Sequence, residues 1–152
     1  MPRKRLPSVA IVGRPNVGKS AIFNRLVGRR IALVHDQPGV PRDRIAATCE
    51  IGRHSFELTD TGGIGATLDD GFANQVRTEA DIAIQSADLI LFVVDAREGI
   101  HPIDEELAKV LRKEADKTPI LLLANKVDTE KSDSAVHEFS KLGFAELIGL
   151  SA

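Results

Sequence analysis

Cysteine is almost missing from this sequence, and long apolar runs are missing altogether. Cys49 is the one cysteine in 152 residues. That count excludes an internal disulfide framework and fits a reducing compartment. Cys49 lies in a strand-like stretch and reads as a small buried hydrophobe rather than a reactive thiol. No apolar stretch approaches the roughly 18 residues that a bilayer span requires. Residues 1–7 are basic, but no apolar segment follows that is long enough for a signal peptide. The expected location is therefore the cytoplasm, with no membrane partner. Charge of one sign is also lacking, with 20 Lys and Arg against 22 Asp and Glu. The net −2 creates no global field to recruit DNA or an anionic membrane. His35, His54, His101 and His137 are scattered without metal-ligand spacing and read as surface or satisfied histidines. There is no internal repeat and no low-complexity segment.

What remains is an ordinary globular composition, 43% hydrophobic and 28% charged, long enough for one domain with a sizeable core. Residues 1–7 form a basic tail, solvated or touching RNA, and residues 8–152 form the domain. Short apolar runs alternate with amphipathic stretches. Strands are expected at 8–12, weakly at 48–51, and at 54–59, 89–94, 119–124 and 146–150. Helices are expected at 19–27, 74–85, 103–113 and 134–142. A hairpin through Gly52 and Arg53 joins the second and third strands. Loops rich in Pro and Gly cover 36–44 and 62–71. Strands alternating with helices predict an α/β fold, a mostly parallel six-stranded sheet covered on both faces. Ligands of such sheets bind beyond the carboxyl ends of the strands, and every motif below directly follows a strand.

Gly13-Arg14-Pro15-Asn16-Val17-Gly18-Lys19-Ser20 matches G-x-x-x-x-G-K-[ST] between a strand and a helix. Phosphates are anionic and multidentate, and they favour a loop whose N–H groups converge. Glycines let the backbone approach, and the helix N-terminus adds its positive dipole end. Lys19 is expected to reach the β- and γ-phosphates, and the Ser20 hydroxyl to bind Mg2+. Ala21 extends the set of nucleotide contacts. Asn125-Lys126-Val127-Asp128 follows the strand 119–124. The Asp128 carboxylate can accept from guanine N1–H and the exocyclic amine together, a donor pair that adenine lacks. The aliphatic stem of Lys126 would cover the base plane. Asn125 would tie this loop to the phosphate loop, and Ser151-Ala152 would offer an N–H to guanine O6. Asp60-Thr61-Gly62-Gly63 carries little information alone and gains it from its place between these motifs. Asp60 is expected to hold Mg2+ through water, and the Gly63 N–H to bond the γ-phosphate. Asp36 and Asp43 read as solvated loop charges. GTP or GDP with Mg2+ is thus the expected ligand.

These motifs, with Pro38-Gly39-Val40-Pro41-Arg42-Asp43-Arg44, Ile64 after the Asp60–Gly63 motif, and ADLILFVVDAREGI over residues 87–100, resemble one family. It is the first GTPase domain of the Der (EngA) family, in the Era-like P-loop GTPase group. The resemblance covers nearly the whole chain. It implies a three-layer P-loop fold and a role in assembling the large ribosomal subunit. It also implies a chain truncated at its last guanine-contact loop. Its closing helix, a second GTPase domain and a KH-like domain would lie beyond, leaving one sheet face partly uncovered. Asn16 matches the asparagine that in relatives helps hold K+ against the phosphates, where the ion would stand in for an arginine finger. The alternative for Asn16 is a loop-stabilising amide. Ile64 stands where Ras-like enzymes orient water with glutamine, which implies slow turnover. Pro41 departs from the family pattern, whose threonine at that place is a Mg2+ ligand; proline offers neither hydroxyl nor N–H. The leading reading is a slow GTPase. The alternatives are a nucleotide-binding regulatory module with little hydrolysis, and a GTPase serving another RNA or membrane process.

Overall fold

A computed structural model of the chain describes residues 6–14, 17–27, 45–51, 53–60, 80–126 and 136–150. For Ser20 and Asp60 it describes the backbone alone. The elements run β1 (Ser8–Val12), α1 (Lys19–Val27), β2 (Ile45–Ile51), β3 (His54–Asp60), α2 (described over 80–86), β4 (Leu89–Asp95), α3 (Pro102–Arg112), β5 (Ile120–Asn125), a 3-10 helix (His137–Leu142) and β6 (Glu146–Gly149). Among the described residues the strands form one six-stranded sheet in the order β2-β3-β1-β4-β5-β6. Only β2 runs antiparallel, and its pairing of Ile51 with His54 is the hairpin expected there.

Residues alternate strictly between the two faces. Ala10, Val12, Ile90, Phe92, Val94, Leu122 and Ala124 point to one core, shared with Ala83 of α2, Leu107 and Leu111 of α3, and Phe139. Val9, Ile11, Leu58, Leu91, Val93 and Leu123 point to the other, against Ile22 and Phe23 of α1. Because both faces are covered, β4 reads as a continuous apolar run rather than an alternating one. Phe92 meets Phe144 edge-on at 5.7 Å between ring centroids, a favourable aromatic arrangement. Among the described residues the second core stays open along one side. An apolar groove of about 690 Å³ runs past Leu26, Phe56, Leu89, Leu121, Ile148 and Leu150.

Several boundaries differ from expectation. β2 begins three residues earlier than its weak signal, because it pairs with β3 along its whole length. Thr48 therefore stands mid-strand opposite Glu57, not at a strand start. Of the expected helix at 134–142, Val136 is α-helical and His137–Leu142 is 3-10, ended by Gly143 in the left-handed conformation at φ 86°. Residues 134 and 135 lie outside the described set, as do residues 74–79 of the expected second helix.

Candidate nucleotide-binding site

Parallel β1, β3, β4, β5 and β6 end along one edge of the sheet, and the motif residues leave from those ends. The phosphate loop leaves β1 at Gly13. A Cβ there would stand 2.6 Å from the Val93 carbonyl oxygen, so the loop can press against β4 only with glycine. Gly18 adopts φ 96°, and a Cβ on it would collide with Asn125 Nδ2. The Gly18 carbonyl accepts from Ile22 N at 3.1 Å, which starts α1 and turns its N-terminus toward the loop. Lys19 folds its ammonium back over the loop, donating to the Gly13 carbonyl at 2.6 Å.

The end of β5 meets this loop directly. Asn125 Nδ2 donates to the Val17 carbonyl at 3.0 Å, so the tie expected of Asn125 is present. Asn125 is buried, as the bond between two packed segments requires. Next to it, Lys126 adopts φ 66° and sends its ammonium to Asp95 at 2.9 Å.

Two further networks support the site. Asp95 ends β4, 1% exposed, and its Oδ1 accepts from Arg97 N at 2.8 Å and Glu98 N at 3.3 Å. Burial alone would push its carboxyl up. The Lys126 ammonium and the two N–H groups outweigh that and hold it below the usual carboxylate range. The second network centres on Arg14, only 7% exposed. Its guanidinium donates to Glu98 at 2.6 Å and faces the fully buried Asp104 at 3.5 Å. That longer contact is an ion pair without a hydrogen bond. Asp104 Oδ2 also accepts from His101 N at 2.9 Å, and His101 Nδ1 accepts from Ile103 N at 3.0 Å, so the two residues cap α3. Burial pushes the Asp104 carboxyl up, against the pull of the His101 backbone N–H and of the Arg14 charge.

The edge thus gathers Gly13, Arg14, Val17, Gly18, Lys19, Asn125 and Lys126, together with the backbones of Ser20, Ala21 and Asp60. Asp60 pairs with Ile11, so β3 ends beside the strand that feeds the phosphate loop. This places the two expected Mg2+ residues on adjoining segments. Pro15, Asn16, Pro41, Thr61, Gly62, Gly63, Ile64, Val127, Asp128, Ser151 and Ala152 lie outside the described residues. Sequence reasoning missed Asp95, Glu98 and Asp104 as parts of the site. Asp104 was discoverable: it falls in register with Leu107, Ala108 and Leu111 on the buried stripe of α3, where a carboxylate needs a partner.

A family model described as "50S ribosome-binding GTPase" matches residues 8–126. The chain belongs to this family. Among curated relatives, it is 59% identical over 149 residues to GTPase Der of Akkermansia muciniphila, covering 98% of this chain and 32% of that protein. It is 50% identical over 146 residues to GTPase Der of Clostridium tetani, covering 96% of this chain and 33% of that protein. The chain therefore spans about a third of the length of these relatives. Among solved structures, Era of Aquifex aeolicus bound to GDP.AlF4- superposes with a TM-score of 0.72 at 29% identity, covering 97% of this chain and 52% of that one. Era in complex with MgGDPNP and nucleotides 1506–1542 of 16S ribosomal RNA has the same score and identity, covering 98% and 52%. Membership of the 50S ribosome-binding GTPases and the likeness to Era agree on a P-loop α/β domain. In this family member the phosphate loop and the end of β5 are joined through Asn125. No described helix is long and apolar enough to cross a membrane.

Proposed function

We propose that this chain binds GTP and GDP with Mg2+ and hydrolyses GTP slowly, as a cytoplasmic switch domain in large ribosomal subunit assembly. The observation that carries the reading is the Asn125 bond to Val17. It joins a glycine-constrained phosphate loop to the strand that ends at Asn125 and is followed by Lys126. In this reading Lys19 and the loop N–H groups of residues 13–21 hold the phosphates, and Asp128 reads guanine with Ser151-Ala152. Ser20 and Asp60 would hold the Mg2+, which would supply positive charge against the phosphates. Gly63 senses the γ-phosphate, and its neighbours Thr61, Gly62 and Ile64 form a switch. Asn16 holds K+ beside the phosphates. Lys19 withdraws from the Gly13 carbonyl when the phosphates enter, exchanging a neutral acceptor for an anionic one. The ribosomal role rests on the likeness to Der and on the family description; guanine nucleotide recognition rests on this chain's own residues.

A second reading is favoured by Pro41, which cannot supply a hydroxyl ligand to Mg2+ from the first switch loop. It makes the chain a nucleotide-binding module with little intrinsic hydrolysis. Single-turnover GTP hydrolysis in potassium and in sodium buffer separates the two. The GTPase reading expects turnover several-fold faster in potassium. Tight GDP binding with no turnover in either buffer would leave the binding module.

A further inference from the structure

Lys126 is the non-glycine residue found at positive φ among the described residues, at 66°. A lysine holds that left-handed conformation only where its surroundings fix it. One fixing contact runs to β4. Asp95 is buried at the end of that strand and pairs directly with Asn125 across β5. Ala96 N donates to the Asn125 carbonyl at 2.8 Å, so β4 and β5 stay joined up to the point where Lys126 begins. The Lys126 ammonium then reaches back to Asp95 Oδ2 at 2.9 Å. With its Cα at the end of β5 and its charge at the end of β4, the aliphatic stem spans the gap between the two strand ends.

The two oxygens of Asp95 divide the work. Oδ1 accepts from Arg97 N and Glu98 N and builds the turn that follows β4. Oδ2 takes Lys126. The turn needs only a carbonyl-type oxygen, which an amide also offers. The lysine contact needs the carboxylate charge.

We propose that Asp95 is a positioning residue for guanine recognition: by holding the Lys126 ammonium on β4, it stretches the lysine stem into a fixed apolar shelf for the base. This rests on the guanine nucleotide reading above. Asp95 touches no nucleotide in this scheme and acts through Lys126.

The test is a double-substitution cycle on this chain, read as dissociation of a fluorescent GDP analogue alongside thermal unfolding without nucleotide. Asp95→Asn keeps an oxygen for the Arg97 and Glu98 N–H groups and places an amide donor against the lysine. It is expected to weaken GDP binding roughly tenfold, mostly through faster dissociation, as loss of one charge-assisted hydrogen bond would. Its unfolding temperature is expected to fall no further than that of Lys126→Met, which loses the same ion pair. Lys126→Met removes the charge and keeps the stem, and is expected to lose a similar factor. Combining the two should cost no more than Lys126→Met alone. Losses that multiply in the double variant would overturn the proposal, since Asp95 would then act independently of the lysine. Unchanged GDP affinity in Asp95→Asn overturns it too. If Asp95→Asn fails to fold, unchanged affinity in Lys126→Met overturns it by itself. Failure of the parent chain to bind GDP would strike the nucleotide reading beneath it instead.

Discussion

Gly18 carries two constraints at one residue. Its φ of 96° disfavours any side chain, and a Cβ would drive into the Asn125 amide that closes the phosphate loop onto β5. Gly18→Ala is therefore expected to lower stability by about 1–3 kcal/mol through backbone strain. It should also abolish tight nucleotide binding, because Asn125 can no longer reach Val17. Chemical denaturation and GDP titration of the same variant check both parts. Lys126 and Asp95 show the limit of reading residues singly. The asparagine and lysine were legible from their spacing, and even the Asn125 tie was foreseen. That Lys126 answers to a carboxylate 31 positions earlier was not, because the pairing of β4 with β5 brings Asp95 into register. Asp95 also marks a pH boundary. Its folded carboxyl lies below the usual range, so its contribution to stability is present above the ordinary carboxylate pKa and lost as pH falls through the lower folded value.

α3 makes the complementary case at the scale of an element. Its start carries one carboxylate with two duties, the cap of its own N-terminus and the ion pair with Arg14 of the phosphate loop. Helix and loop therefore move together or pay for a separation. Asp104→Ala is expected to cost about 1–3 kcal/mol, since it leaves the His101 N–H without its cap and the buried Arg14 guanidinium with Glu98 alone. The pH dependence runs opposite to that of Asp95. Burial raises the folded pKa of Asp104 above 3.8, so the folded state binds its proton more tightly than the unfolded state does. Stability then falls as pH rises from the ordinary carboxylate value through the raised one. Asp104→Asn should lack that fall, as urea denaturation at a series of pH values would reveal. The periodic residues of α3 were plain in the sequence, including the stripe of Leu107 and Leu111. The polar member of that stripe became meaningful only once the phosphate loop lay against it.

At the scale of the molecule, two cores flank one sheet and the site lies along its carboxyl edge. A ligand that bridges the strand ends along this edge and binds only the folded state should stabilise the whole domain. GDP at one hundred times its dissociation constant is expected to add about 2.7 kcal/mol to the unfolding free energy. Chelating Mg2+ should remove part of that gain. Thermal unfolding with GDP, with GDP and chelator, and with ADP checks this, and ADP should give no comparable shift. The first core is closed by α2, α3 and the 3-10 helix. The second is covered by α1 and leaves the groove beside Leu121 and Ile148 open among the described residues.

The sequence by itself determined the alternation of strands and helices, the glycine-bounded phosphate loop and the N-K-x-D segment. Those features depend on local chemistry: period of burial, backbone freedom at Gly13 and Gly18, and donor groups at short spacing. Tertiary structure decided which distant residues serve them. β2 grew beyond its weak local signal because β3 offered a full ladder. Asp95 and Asp104 became supports of the site because sheet order and helix packing brought buried charges within reach of Lys126 and Arg14. A carboxylate's partner is fixed by what lies near it in space, and in a parallel sheet that neighbour comes from another crossover of the chain.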